Sequence, residues 1–189
     1  MQRVQTDYQP ISKLVLSYPE RFYNGYDELV PFFDELIELV PEDIIIWAIT
    51  NNDQTSDKLK QKFSHKQLNT LGLRNWDEIW LRDCIGINKG NGVLKPQYSP
   101  NYCGKNLDNY YKQIHNSSKR IITDCLEKDI IEMPLKFECG NFVCNDKYAF
   151  LTDKVVEQNK EIAPEHIKQI INSLAGLTQY SLKGTNMML

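Results

Sequence analysis

Apolar residues fall at helical spacing in YDELVPFFDELIELV, residues 26–40. Leu29, Phe32, Phe33, Leu36, Ile37 and Val40 share one face there, and the acidic residues mark the other. The pattern predicts a surface helix with one buried side, ended by Pro41. IIIWAIT, residues 44–50, follows as an unbroken apolar run, the signature of a strand covered on both faces. The polar stretch from Asn51 to His65 is expected to hold a second helix, and EIWLRD, residues 78–83, a short strand ending at Asp83.

From Lys89 to Asn109 the Gly, Asn and Pro residues predict an extended loop, with a strand near Val93. A helix around Ser118 to Glu127 leads into the strand-like IIEMP. NFVCNDKYAFLT then reads as a hairpin turning near Asn145 and Asp146. Pro164 suits the first turn of a last helix, with Ile167, Ile170, Ile171 and Leu174 on one face and Gly176 placed to end it. LTQYSLKG is its strand. Helix and strand alternate without a break in composition, so the expected fold is α/β, or α+β, with short repeated helix-strand units in one domain.

Composition narrows the function. The 189 residues carry a formal net charge of -3, so no excess of positive charge is available to neutralise a phosphate backbone, and no nucleic-acid partner is expected. No apolar run approaches the roughly 20 residues that span a bilayer, and MQRVQTDYQP lacks a signal-peptide core. A cytoplasmic protein with no membrane partner is expected. Cys84, Cys103, Cys125, Cys139 and Cys144 form no C-x-x-C pair, and with three histidines they signal neither a disulfide framework nor a metal site. Free thiols are the expectation, with no cofactor.

Two acids stand out, Asp83 in WLRDCIG and Glu138 in FECGN, each ending an apolar segment beside a glycine. Such a position lets a carboxylate face a cleft while backbone approaches a ligand. From spacing alone the ordinary reading is favoured, two acids at strand ends, one bound to Arg82 or to solvent, because charged residues mostly remain exposed. His65, His115 and His166 lie in polar contexts that predict solvated surface side chains. Cys84 and Cys139 adjoin carboxylates, which disfavours a thiolate and predicts buried, inert thiols.

Taken together, IWLRD and, some fifty residues later, ECGNFVCNDKYAFLT followed by VVEQN resemble the agmatine deiminase and bacterial-type peptidyl-arginine deiminase family. Its W-x-R-D-x-G-P and E-G-G-N segments are matched at Trp80, Arg82, Asp83, Glu138, Gly140 and Asn141. The flanking order is matched down to Leu151, Thr152 and Asn159, so the resemblance runs from about Ile11 onward. It implies a pentein-like α/β propeller of pseudo-fivefold symmetry around a central site. It also implies hydrolysis of a guanidinium to a ureido group with release of ammonia, agmatine to N-carbamoylputrescine being the first expectation and arginine-like or peptidyl-arginine groups the others.

By that resemblance Asp83 holds the substrate guanidinium and Glu138 supports the catalytic histidine and the substrate end of the pocket. Trp80, Arg82, Gly140 and Asn141 complete the substrate-binding set, with Arg82 directed to backbone or carboxylates rather than to a cationic substrate. The family's nucleophilic cysteine and its H-x-D histidine are not matched, so the resemblance covers an N-terminal portion, and the isolated chain is expected to be inactive. The alternatives are a non-catalytic guanidino-ligand-binding or interaction protein, a homo-oligomer, and one half of a split enzyme completed by a C-terminal half. The sequence departs from the pattern at Cys84-Ile85 and at Cys139, where side chains replace the family's Gly-Pro and first paired glycine.

Overall fold

The computed structural model describes residues 4–6, 9–19, 26–100, 107–145 and 147–181. Asp146, Cys103 and the end of the last expected strand, 182–184, lie outside the described residues. The chain forms two compact units, one of Pro10–Leu81 with Asp124–Leu126, the other of Met1–Gln9, Arg82–Thr123 and Glu127–Leu189.

The first unit is a parallel three-stranded sheet, β1 (Lys13–Ser17), β2 (Ile45–Thr50) and β3 (Leu68–Gly72), in that order. Parallel neighbours need crossovers. Helix α1 (Val30–Leu39) lies between β1 and β2 in sequence, and α2 (Asp53–Lys62) between β2 and β3. Its core gathers Leu16, Ile37, Ile46, Ala48, Leu59 and Phe63. Asn52 starts α2 by accepting the Thr55 N–H on Oδ1 at 2.9 Å. The expected helix at 26–40 begins as a 3₁₀ turn, Tyr26–Leu29. Its apolar face is narrower than predicted: Ile37 is fully buried, but Phe32 is 60% exposed, because a 100° step per residue carries position 32 away from 37 and 40.

The second unit repeats one pattern twice. Strands β4 (Ile87–Lys89) and β5 (Gly92–Gln97) form an antiparallel hairpin, α4 (Asp108–Arg120) follows, and β6 (Asp129–Lys136) returns parallel to β5. Likewise β7 (Phe142–Cys144) and β8 (Tyr148–Leu151) form a hairpin. Helices α5 (Lys154–Gln158) and α6 (Pro164–Ala175) then lead to β9 (Thr178–Ser181), parallel to β8. Asn145 shapes the second hairpin turn, its Oδ1 accepting the Lys147 and Tyr148 N–H groups at 2.9 and 2.7 Å. Leu94, Leu135, Phe137, Phe142, Leu151 and Ile171 belong to the shared core of this unit.

Two local expectations fail here for identifiable reasons. EIWLRD is not a strand: Glu78 turns back to accept the Trp80 N–H at 2.8 Å, and Leu81–Ile85 forms the short helix α3, so Asp83 is helical. Its apolar run is too short for period 2 and period 3.6 to be told apart. The strand expected near Val93 is β5, which runs on through a buried lysine and a proline, Lys95 and Pro96. The helix expected around 118–127 starts ten residues earlier, at Asp108, and closes in a π turn, Ile121–Cys125. Tyr111, Ile114, Ser118 and Ile121 form the buried stripe that positions it.

Asn159 ties α5 to β6. It is 1% exposed, its Oδ1 accepts the Lys136 N–H at 2.8 Å, and its Nδ2 donates to the Lys136 and Val155 carbonyls at 2.8 and 2.7 Å. This fixes the end of β6 just before Glu138. Asn159→Ala should therefore lower the unfolding free energy by about 3 kcal/mol, the cost of leaving buried backbone groups unpaired. A urea titration of both chains measures it, and an unchanged midpoint would contradict the assigned role.

Candidate guanidinium site

Asp83 and Glu138 are 55 positions apart in sequence, and the second unit brings them together through backbone. The Gly140 N–H donates to Asp83 Oδ1 at 3.0 Å. Gly140 follows Glu138 in a short 3₁₀ turn, Cys139–Asn141, whose Asn141 N–H donates to the Glu138 carbonyl at 2.9 Å. A Cβ at position 140 would stand 2.3 Å from Asp83 Oδ1, so only glycine permits this approach. At the other end of α3, Gly86 has φ +133°, and a Cβ there would meet the Leu94 carbonyl oxygen at 2.6 Å. The two glycines of the quoted motifs thus serve the carboxylate's placement.

Glu138 is a buried acid with a full set of neighbours. It is 6% exposed, and its Oε2 accepts from Asn141 Nδ2 at 3.1 Å while its Oε1 accepts from Gln158 Nε2 at 2.8 Å. The Gln158 amide also donates to the Ser99 carbonyl at 3.3 Å. Asn141 is held in turn, its Oδ1 accepting from Thr152 Oγ1 at 2.7 Å. Neutral amide donors stabilise a carboxylate without cancelling its charge.

Asp83 differs. Its Oδ1 is engaged by Gly140, whereas its Oδ2 accepts no hydrogen bond among the described residues. Arg82 does not close on it: Nη2 of Arg82 donates to the Phe142 carbonyl at 3.2 Å, as expected for that residue. Burial raises the Asp83 pKa above the usual aspartate range; the Gly140 N–H pulls it down, the nearby Glu138 raises it again, and Arg82 lowers it. The result is a half-buried carboxylate with unspent acceptor capacity beside a second acid.

Trp80, 62% exposed, belongs to the other compact unit, and its backbone is held by Glu78. Asp83, Arg82, Glu138, Gly140 and Asn141 are assembled in one unit. The sequence reading missed Gln158, although it lies in the quoted VVEQN beside Asn159. It also missed Lys95, hidden in an apparent loop. Among the described residues Cys84, Cys125, Cys139 and Cys144 form no disulfide. Cys139 is buried, and its thiol is pushed up to about 12 by that burial, the inert state expected of it. His65 and His166 are exposed, but His115 is half-buried, against expectation. Its Nδ1 accepts the Tyr98 N–H at 3.3 Å, and burial, with Lys95 and Lys119, pushes its pKa down to about 4. Among the described residues no group of three or more His, Cys, Asp or Glu could hold a metal ion, and no helix is long and apolar enough to cross a membrane.

The two acids should respond differently to substitution. Glu138→Ala strands two amide donors and should cost about 2–4 kcal/mol. Asp83 has its pKa raised on folding, so its contribution to stability is complete below its unfolded pKa and is lost as pH rises through the folded one. Asp83→Asn should thus leave Tm unchanged or raise it by about 1–3 °C at pH 7, with no gain in acid below the unfolded pKa. Thermal unfolding of both variants at pH 7 and pH 3 checks this. A destabilised Asp83→Asn at pH 7 would show that the carboxylate is already paired.

No family model and no curated protein matches the chain. Solved structures do. The agmatine deiminase of C. jejuni, solved also with substrate bound, superposes with TM-score 0.77 at 15% identity, covering 100% of this chain and 57% of that one. The agmatine deiminase of Enterococcus faecalis gives 0.73 at 16% identity, covering 96% and 52%. A dimethylarginine dimethylaminohydrolase gives 0.51 at 9% identity, covering 95% and 63%. The chain thus spans somewhat more than half the length of the agmatine deiminases it resembles. Over that length, it has their mixed α/β fold.

Proposed function

We propose that this chain carries the guanidinium-holding part of an agmatine or peptidyl-arginine deiminase site. The observation that carries the reading is Asp83: a half-buried carboxylate with Oδ1 fixed by the Gly140 N–H and Oδ2 accepting no hydrogen bond among the described residues, beside buried Glu138. A planar guanidinium offers parallel N–H donors to carboxylate oxygens, and a desolvated acid gains most from a cation that it does not already have. Asn141 and Gln158 orient Glu138, and Arg82, turned to the Phe142 carbonyl, leaves Asp83 available. Agmatine is the first substrate on this reading and peptidyl arginine the second, with no cofactor.

In deimination, water replaces one guanidinium nitrogen, giving a ureido group and ammonia, through attack by a cysteine and proton transfer by a histidine. Neither buried Cys84 nor buried Cys139, its pKa near 12, suits that nucleophile. Our reading for these 189 residues is guanidino binding without turnover, as a guanidino-binding protein or as a part complemented by a second polypeptide or a second copy. We read the 189 residues as belonging to a single deiminase-like domain. The four described cysteines, which form no disulfide, suit a cytoplasmic setting.

Calorimetric titration tests this. Agmatine should bind, putrescine, which lacks the guanidino carbon, should bind at least about tenfold more weakly, and Asp83→Asn should cost agmatine at least about tenfold in affinity. Equal binding of both ligands, or an unchanged affinity in the variant, would overturn the reading. Citrulline-type product formed by the isolated chain would overturn the assignment of binding without turnover.

A further inference from the structure

Lys95 is out of place for its strand. In GVLKPQ it is 1% exposed, between buried Leu94 and Pro96, where an apolar side chain would be expected. Burying an ammonium is costly unless its N–H groups find acceptors. Its Nζ donates a hydrogen bond to the main-chain carbonyl of Cys84, not to a carboxylate among the described residues.

That acceptor adjoins Asp83. The carbonyls of a five-residue helix have few partners within it, and a cation at the C-terminal end also opposes the helix dipole. Cys84 is in the last turn of α3, the helix that carries Asp83 to the Gly140 N–H. The charged and titratable groups acting on Lys95 most strongly are the Cys139 and Cys84 thiols, then Glu132 and Lys119. Cys139 lies between Glu138 and Gly140. Lys95 is thus tied by its hydrogen bond to the segment that carries Asp83 and lies within electrostatic range of Cys139, next to Glu138.

We infer that Lys95 is a positioning residue: by holding the Cys84 carbonyl, its buried side chain fixes α3 so that the Asp83 carboxylate stays against the Gly140 N–H and open to a guanidinium. The part concerning a guanidinium rests on the function proposed above. The hydrogen-bonded geometry of Asp83 and Gly140 stands without it.

Positioning and plain electrostatics predict opposite signs. As a mere positive charge near the site, Lys95 would repel a guanidinium, and removing it would tighten binding. As a support for α3, its removal should weaken binding. Lys95→Met, similar in length and uncharged, separates the two in the 189-residue chain. The expected result is an agmatine affinity lower by about tenfold and a Gly140 amide that exchanges with solvent at least about tenfold faster, with the far-ultraviolet circular dichroism retained. Lys95→Gln, which keeps an N–H donor without charge, should recover part of both.

Tighter agmatine binding in Lys95→Met, or an unchanged Gly140 exchange rate, would overturn the inference. If the unsubstituted chain binds no agmatine, the guanidinium reading fails, while Gly140 exchange still decides whether Lys95 positions Asp83. If Lys95→Met does not fold, the native chain decides. Its Lys95 ammonium protons should then exchange slowly and show a nuclear Overhauser contact to the Asp83–Cys84 segment, and absence of that contact overturns the inference.

Discussion

One hydrogen bond, from the Gly140 N–H to Asp83 Oδ1, joins two segments 57 positions apart and sets the terms for the rest of the site. It uses backbone as donor, so Asp83 is oriented without being neutralised. It requires glycine at 140, because a Cβ would overlap the carboxylate. It also requires α3 to present Asp83 at a fixed angle, which is where the Cys84 carbonyl and buried Lys95 enter. A charge-neutralising partner such as Arg82 would have been simpler for stability, but it would have consumed the acceptor.

Around that bond the second unit builds a shell of amides, half-buried at Asn141 and Gln158 and buried at Asn159. Asn141 and Gln158 satisfy Glu138, Thr152 fixes Asn141, and Asn159 bonds the backbone at Lys136 at the end of β6. Side-chain amides suit this task because each offers donor and acceptor without charge, so the two acids remain the charged groups that define the site. A network of this kind is costly when half-satisfied, which makes the hairpin β7–β8 and helix α5 part of the site's support rather than incidental scaffold.

The sequence made much of this legible where one period dominated. The apolar run of β2, the stripe of α6 and the β7–β8 hairpin follow from spacing, and six of the residues matched to the deiminase pattern, Asp83, Glu138, Gly140, Asn141, Thr152 and Asn159, are hydrogen-bonded groups of the second unit. It misled where function intrudes on pattern. Ile79, Trp80 and Leu81 form too short a run to reveal helix α3, and Lys95 and Pro96 hid how far the strand expected near Val93 extends. Strand β3, LNTLG, has too few apolar positions to announce itself and is recruited by pairing with β2. His115 reads as a surface residue because its burial comes from the long-range approach of Tyr98. Such tertiary overrides leave no local trace.

The account stands or falls on whether Asp83 is unpaired in the free protein. A carbon-detected NMR titration of its carboxyl group, alone and with saturating agmatine, asks this directly. The structure requires a pKa above the usual aspartate range in the free chain, raised mainly by burial, and a downward shift when a guanidinium binds. A free-chain value at or below the usual range would mean that a cation of the protein itself already occupies the carboxylate, and the site would then be structural.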